Sequence, residues 1–199
     1  MGEIVYFTGG AKSGKSRLGQ EYLINSKYQR VAYIATQANQ FMDEELSRSI
    51  QKHQNSRPAN WQTFEQFKDL ADLIADSEWD FDGAIIDCAT VWLTNTLFDY
   101  WQSQAQTENI DSWIEQISQK ELENTEVFIF KELNALLDQI QKSSTCFCLI
   151  SNEVGQGLVP ENKLGRIFRN LQGLVNQRIA QEADQVYWVV SGISVCIKN

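Results

Sequence analysis

A single α/β unit over residues 1–199, with a mainly parallel sheet flanked by helices and an antiparallel hairpin near the C-terminus, is the architecture this sequence predicts. Three observations predict it. Short apolar runs of strand length alternate with helical stretches along most of the chain, the pattern of a parallel sheet covered on both faces. The stretch Gly9-Gly10-Ala11-Lys12-Ser13-Gly14-Lys15-Ser16 matches G-x-x-x-x-G-K-[ST] without a gap, between a strand-like and a helix-like segment, which is the context of a P-loop NTPase-like phosphate-binding loop. Two apolar runs around Ser191-Gly192 read as a hairpin.

The elements follow in order. Ile4-Val5-Tyr6-Phe7-Thr8 is a buried-strand pattern, and residues 17–26 form the helix after the loop. Residues 30–36 are a second strand, ending at Thr36. A polar helix is expected over 41–54, with Met42, Leu46 and Ile50 as its apolar stripe. Lys52 and His53 fall in its last turn, and Arg57-Pro58 stops it. Residues 61–65 alternate like a short strand, and 67–75 fit a helix that turns Phe67, Leu70 and Ile74 to the core. Gly83-Ala84-Ile85-Ile86-Asp87-Cys88 is an apolar run ending in an acid, the Walker B pattern. A helix over 90–101 and a polar surface loop over 102–111 precede one long amphipathic helix to about residue 142, with Ile117, Phe130, Leu133, Leu137 and Ile140 among its apolar positions. Residues 145–151 are a buried strand, 164–183 the last helix, and 185–190 with 194–198 the hairpin.

Ligands of such sheets sit at the C-terminal ends of the strands. Gly9 to Ser16, Thr36, Asp87 and Asn152 all fall there, so four separate stretches are expected to converge on one crevice. Amide groups of the loop and the helix N-terminus would cradle phosphate, Lys15 would reach the β/γ-phosphates, and Ser16 with Asp87 would hold Mg²⁺.

The composition narrows the function classes. A formal net charge of −9 disfavours a broad nucleic-acid surface, which depends on Lys and Arg neutralising phosphates. Cys88, Cys146, Cys148 and Cys196 lie in apolar, strand-like stretches without a CxxC pair, so buried free thiols are expected. No stretch approaches 18 consecutive apolar residues and no leader pattern opens the chain, so no stable membrane insertion and a cytoplasmic location are expected.

Longer ordered motifs resemble one family. They are Thr8 to Arg17, Tyr33-Ile34-Ala35-Thr36, and His53-x-x-x-Arg57-Pro58-x-x-Trp61-x-Thr63-x-Glu65. Asp87-Cys88 with Trp92-Leu93-Thr94-Asn95, Ser151-Asn152-Glu153-Val154-Gly155-x-Gly157-Leu158-Val159-Pro160-Glu161, Leu164-Gly165-Arg166-x-Phe168-Arg169 and Asn176-Gln177 continue them. Over nearly its whole length the chain resembles the bifunctional adenosylcobinamide kinase/adenosylcobinamide-phosphate guanylyltransferases of cobalamin biosynthesis. The resemblance implies phosphorylation of the corrinoid adenosylcobinamide by ATP or GTP, then GMP transfer from GTP to adenosylcobinamide phosphate through a guanylylated histidine. It also implies a trimeric homo-oligomer.

The residue matching that histidine is His53, the only histidine in the chain. A neutral imidazole can attack the α-phosphorus and later leave, although a histidine in the last turn of a polar helix also serves as a dipole-complementing surface residue. Lys52 is the rival nucleophile. By the same resemblance Gly9, Gly10, Ala11, Lys12, Ser13, Gly14, Lys15, Ser16, Thr36, Gln37, Ala38, Gln54, Asn55, Ser56, Arg57, Glu65 and Asp87 contact the nucleotide or its metal. Arg57 would neutralise a phosphate, against a plain surface arginine; Glu65 could equally be a strand-end carboxylate, and Asn152 and Glu153 loop hydrogen-bonding groups. Trp61 and Trp92 read as packing. The chain departs from the family at Lys12, where arginine is common, at Ser49 and at Asn39-Gln40. Two alternatives stay open on the residues alone: a small-molecule kinase that uses only the phosphate loop, and a GTP-dependent switch. The switch lacks its guanine-reading N-K-x-D, since Asn162-Lys163 is followed by Leu164-Gly165.

Overall fold

A computed structural model describes residues 2–26, 28–37, 58–105, 107 and 109–199. Seven strands form one sheet in these residues: β1 (Ile4–Gly9), β2 (Val31–Ala35), β3 (Gln62–Glu65), β4 (Gly83–Asp87), β5 (Cys146–Asn152), β6 (Gln185–Val190) and β7 (Ile193–Lys198). Their spatial order is β3-β2-β4-β5-β1-β6-β7. β1 to β6 run parallel, and only β7 is antiparallel, to β6. The predicted α/β class, a mainly parallel sheet with a closing hairpin, is the one the chain adopts.

Period-two alternation gives the central strands two buried faces. On one, Ile4, Tyr6, Ile34, Ile86, Phe147 and Leu149 meet a thick helical layer. That layer contains α2 (Leu70–Ala75), α3 (Ala89–Gln104), α4 (Ile110–Gln116), α5 (Gln119–Lys142) and α6 (Lys163–Glu182). On the other, Val5, Phe7, Tyr33, Ile85, Cys148 and Ile150 pack beneath α1 (Lys15–Asn25), which contributes Leu18, Tyr22 and Leu23.

Five expectations change. The single helix expected up to residue 142 is two, α4 and α5, because Ser118 forms a capping box with Glu121 and starts a new helix. Ile117, read as an interior apolar position, is the C-cap of α4, yet it still reaches the core. The polar loop expected over 102–111 is shorter, since α3 continues to Gln104 and α4 starts at Ile110. α2 starts at Leu70 rather than 67, preceded by Asp69 in a left-handed conformation (φ 53°). Cys196 is exposed instead of buried, because all six residues of the outer strand β7 are exposed. The helix expected over 41–54 lies outside the described residues.

Candidate active site

The glycine-rich stretch joins β1 to α1. Ser13 N–H donates to the Gly10 carbonyl at 3.2 Å, and Gly14, with φ 99°, is the left-handed N-cap of α1. Any other residue would be strained there. At Gly9 a Cβ would stand 2.3 Å from the Val189 carbonyl oxygen, so β6 can lie against the loop only beside a glycine. The hairpin turn supports the loop from outside: Gly192 N–H donates to the Ser13 carbonyl at 2.8 Å, and Arg17 Nη2 donates to the Gly192 carbonyl at 3.3 Å. Ser191 and Gly192 both have positive φ, 52° and 82°, as a tight type I′ hairpin turn requires.

Neither a capping side chain nor an acidic residue occupies the start of α1. The first-turn amide groups and the positive end of the helix dipole are therefore uncompensated by the helix itself, an arrangement suited to an anion. Gly10, Ala11 and Lys12 are exposed around this opening. Lys15 is buried, with Nζ 3.0 Å from the Gly10 carbonyl. Burial pushes its ammonium below the ordinary lysine value, and Lys12 adds to this while Cys88 and Asp87 oppose it.

Asp87 reaches the loop across an intervening strand. β5 lies between β4 and β1, with Asp87 opposite Ile150 and Phe7 opposite Ile150 in turn. Asp87 shares its sheet face with Ile85, the face under α1. Ser16 Oγ donates to Asp87 Oδ1 at 3.1 Å, and Tyr33 Oη donates to Oδ2 at 2.5 Å. A hydroxyl and a carboxylate oxygen side by side, both hard donors at the mouth of a phosphate loop, fit Mg²⁺ held by a few protein oxygens with substrate phosphates and water completing its shell. Among the described residues no group of three or more His, Cys, Asp or Glu side chains could hold a metal without substrate.

Thr36, three residues beyond Tyr33, points to the opposite face and is fully buried. Its hydroxyl accepts from Cys88 N–H at 2.9 Å and donates to the Cys88 carbonyl at 2.8 Å, while Asn95 Nδ2 donates to the Thr36 carbonyl at 2.8 Å. The Thr36 side chain thus ties the end of β2 to the end of β4 and does not face the loop. On the same side, Thr90, Ser151, Gln172 and Asn176 bond one another, and Asn176 Nδ2 donates to the Asn152 carbonyl at 3.0 Å. Thr90 Oγ1 accepts from Asn152 N–H at 2.7 Å. Glu153 N–H donates to the Gly9 carbonyl at 2.9 Å, and its carboxylate accepts from Gly155 N–H at 2.5 Å.

Of the nominated residues, Gly9 to Ser16 and Asp87 come together. Gln37 follows Thr36 at the same edge, and exposed Glu65 ends β3 opposite Ala35. Ala38, His53, Gln54, Asn55, Ser56 and Arg57 lie outside the described residues. Trp92 is core, and half-buried Trp61 packs near the Tyr33 ring at 6.5 Å between centroids. Sequence reasoning quotes Tyr33 and Asn95 within family motifs but gives neither a role, and it misses the Gly192 brace. Besides its place in that motif, the sequence signal for Tyr33 is a hydroxyl-bearing aromatic two residues before the end of a strand otherwise apolar.

A phosphate loop at a central parallel strand, with a strand-end acid meeting its serine, defines the class as a nucleotide-utilising P-loop α/β enzyme. Residues 5–197 match the family model described as CobU, cobinamide kinase / cobinamide phosphate guanyltransferase, and the chain belongs to the CobU family. It is 38% identical over 203 residues to the bifunctional adenosylcobalamin biosynthesis protein CobU of Salmonella typhimurium strain LT2, covering 98% of this chain and 99% of that one. It is 36% identical over 195 residues to the protein of the same description from Escherichia coli strain K12, again covering 98% and 99%. Among solved structures, the flagellar accessory protein FlaH of Methanocaldococcus jannaschii is similar at 15% identity and a TM-score of 0.43, over 98% of this chain and 78% of that one. That likeness is too remote to bear on the site. Among the described residues no helix is long and apolar enough to cross a membrane.

Proposed function

We propose that this chain carries out two successive reactions of adenosylcobalamin biosynthesis. In the first, the hydroxyl oxygen of adenosylcobinamide attacks the γ-phosphorus of ATP or GTP; the hydroxyl proton is lost and the nucleoside diphosphate leaves. In the second, an imidazole nitrogen of His53 attacks the α-phosphorus of GTP and pyrophosphate leaves. A phosphate oxygen of adenosylcobinamide phosphate then attacks the guanylylated histidine, forming adenosylcobinamide-GDP and returning the imidazole. Splitting the transfer in two lets pyrophosphate leave before the corrinoid phosphate attacks, so that anionic phosphate never has to approach the intact triphosphate.

The observation that carries this reading is the meeting of Ser16 and Asp87 at the mouth of the Gly9 to Ser16 loop, joined to family membership over residues 5–197. Lys15 and the loop amide groups would stabilise charge on the transferring phosphoryl group. Ser16 and Asp87 would hold Mg²⁺, which when bound neutralises phosphate charge. Gln37, Ala38, Gln54 to Arg57 and Glu65 belong to this reading as nucleotide contacts, whereas Thr36 enters it as a support beneath the edge. The cytoplasm is the proposed location and a homotrimer the proposed assembly. Exposed Ile193, Val195 and Ile197, on one face of β7, the outermost strand among the described residues, favour assembly.

Intact-mass analysis after incubation with GTP tests the central step. The wild-type protein is expected to gain one GMP moiety, and His53→Ala none. A GMP adduct that persists in His53→Ala transfers the role to another nucleophile, Lys52 first. Turnover of another alcohol without turnover of adenosylcobinamide would refute the substrate.

A further inference from the structure

Tyr33 is a tyrosine where packing alone would accept phenylalanine. It is 1% exposed and sits in an apolar layer with Val5, Phe7, Ile85 and Ile150. A hydroxyl buried in such a layer is costly unless hydrogen-bonded, and this one donates to Asp87 Oδ2 at 2.5 Å. Register explains the reach. Tyr33 lies opposite Ile85 and Ala35 opposite Asp87, so the tyrosine stands one same-face position short of the acid on the neighbouring strand, and its long side chain spans that step.

The bond divides the two carboxylate oxygens. Oδ2 is taken by Tyr33, which leaves Oδ1 on the side of Ser16 Oγ, 3.1 Å away. Rotation of an aspartate carboxylate about χ2 is broad and roughly two-fold, so a donor fixed to one oxygen selects which oxygen faces the loop. The ring cannot readily turn away, being buried and flanked by Trp61 at 6.5 Å between centroids. Outer-shell donors of this kind orient metal-binding carboxylates and set their affinity.

We propose that Tyr33 is a positioning residue for the metal site: by donating to Asp87 Oδ2, its hydroxyl holds the carboxylate with Oδ1 beside Ser16, poised for the divalent cation. The inference rests on the reading of Ser16 and Asp87 as the cation-holding pair. Tyr33→Phe removes one oxygen and keeps the ring, so it separates positioning from packing.

The experiment compares wild type, Tyr33→Phe and Asp87→Asn. Mn²⁺ affinity is measured by electron paramagnetic resonance in the presence of a non-hydrolysable GTP analogue. Affinity for the same analogue is measured in EDTA, and Tm in its absence. Tyr33→Phe is expected to weaken Mn²⁺ binding by about 10–100-fold, with metal-free analogue affinity within about two-fold of wild type. Asp87→Asn is expected to weaken Mn²⁺ at least as much. If Asp87→Asn loses Mn²⁺ and Tyr33→Phe does not, the positioning role is overturned and the metal reading stands. Equal loss of metal-free and metal-dependent affinity in Tyr33→Phe also overturns it, in favour of a general packing role. Wild-type Mn²⁺ affinity in Asp87→Asn would remove the metal reading itself, and the role of Tyr33 with it.

Discussion

The two faces of the sheet treat their polar groups differently at the same edge. Under α1, Ser16, Asp87 and Tyr33 bond in a short chain that opens onto the phosphate loop. On the face packed by α3 and α6, Thr36, Asn95, Thr90, Ser151, Gln172 and Asn176 bond inward, to one another and to backbone groups at the strand ends. Ser16 and Asp87 keep partial exposure, whereas Thr36 and Ser151 are fully buried. One set is placed for a ligand to meet, while the other fixes the strand ends that carry the first. Strand alternation contributes to the sorting: Asp87 shares the α1 face with Ile85, whereas Ser151, one residue beyond Ile150 in β5, points to the other face.

The contrast breaks most visibly at Lys15. Lys15→Met is expected to lower phosphoryl transfer by about 10²–10³-fold. The ligand-free protein should melt at or above the wild-type temperature, since a buried ammonium is removed. Steady-state assays and calorimetry check both halves, and a clear fall in Tm would place Lys15 with the scaffold.

Asn176→Ala should do the reverse. It leaves the Asn152 carbonyl and the Ser151 hydroxyl short of partners, costing about 2 kcal/mol, or roughly 4–8 °C in Tm. Nucleotide affinity of the folded protein should change by no more than about two-fold, as read by titration calorimetry. Thr36→Val is a sharper version, because Thr36 was nominated as a nucleotide contact and sits on the scaffold face. A loss of about 1–3 kcal/mol in chemical denaturation is expected from the unpaired Cys88 backbone groups. A larger loss in nucleotide affinity than in stability would return Thr36 to the site.

The smallest effect lies away from this edge. Burial alone would raise the Asp82 carboxyl, but donation from the Gln29 and Arg30 backbone N–H groups outweighs it and holds the group below its ordinary 3.8. A depressed carboxyl stabilises the fold above its unfolded pKa, and that contribution disappears as pH falls through the lower folded value. Asp82→Asn should therefore flatten the stability profile below about pH 4 and leave the neutral-pH site unchanged, as denaturation at several pH values would show.

Much of this was legible in the residues, for identifiable reasons. The loop was readable because its spacing is chemically dictated, and the strands because apolar runs of strand length are bounded by polar turns. Asp87 was readable as an acid ending such a run. The Tyr33 bond was not, because it depends on β2 lying beside β4, a fact of sheet order that no local pattern carries. Thr36 is nominated by the family resemblance and by its place at a strand end, but neither carries the bonds of its hydroxyl to the Cys88 backbone groups. The Ser118 capping box is written in the sequence as S-x-x-E, but apolar periodicity running through Ile117 into the following helix masks it. For Cys196 an apolar neighbourhood suggested burial, yet only strand order shows that β7 is an outer edge.

The brace between Gly192 and the phosphate loop has a consequence for the order of events during synthesis. β1 lies between β5 and β6, and the loop that follows it is bonded to a turn made nearly the whole chain later. Residues emerge from the ribosome at about 5–20 per second, so the loop waits roughly 10–40 s for the hairpin that supports it. Until then the nascent chain carries the whole phosphate-binding signature without the neighbours that shape it. Competence for nucleotide should therefore switch on late and abruptly, once the turn at Gly192 has been made and docked on the loop.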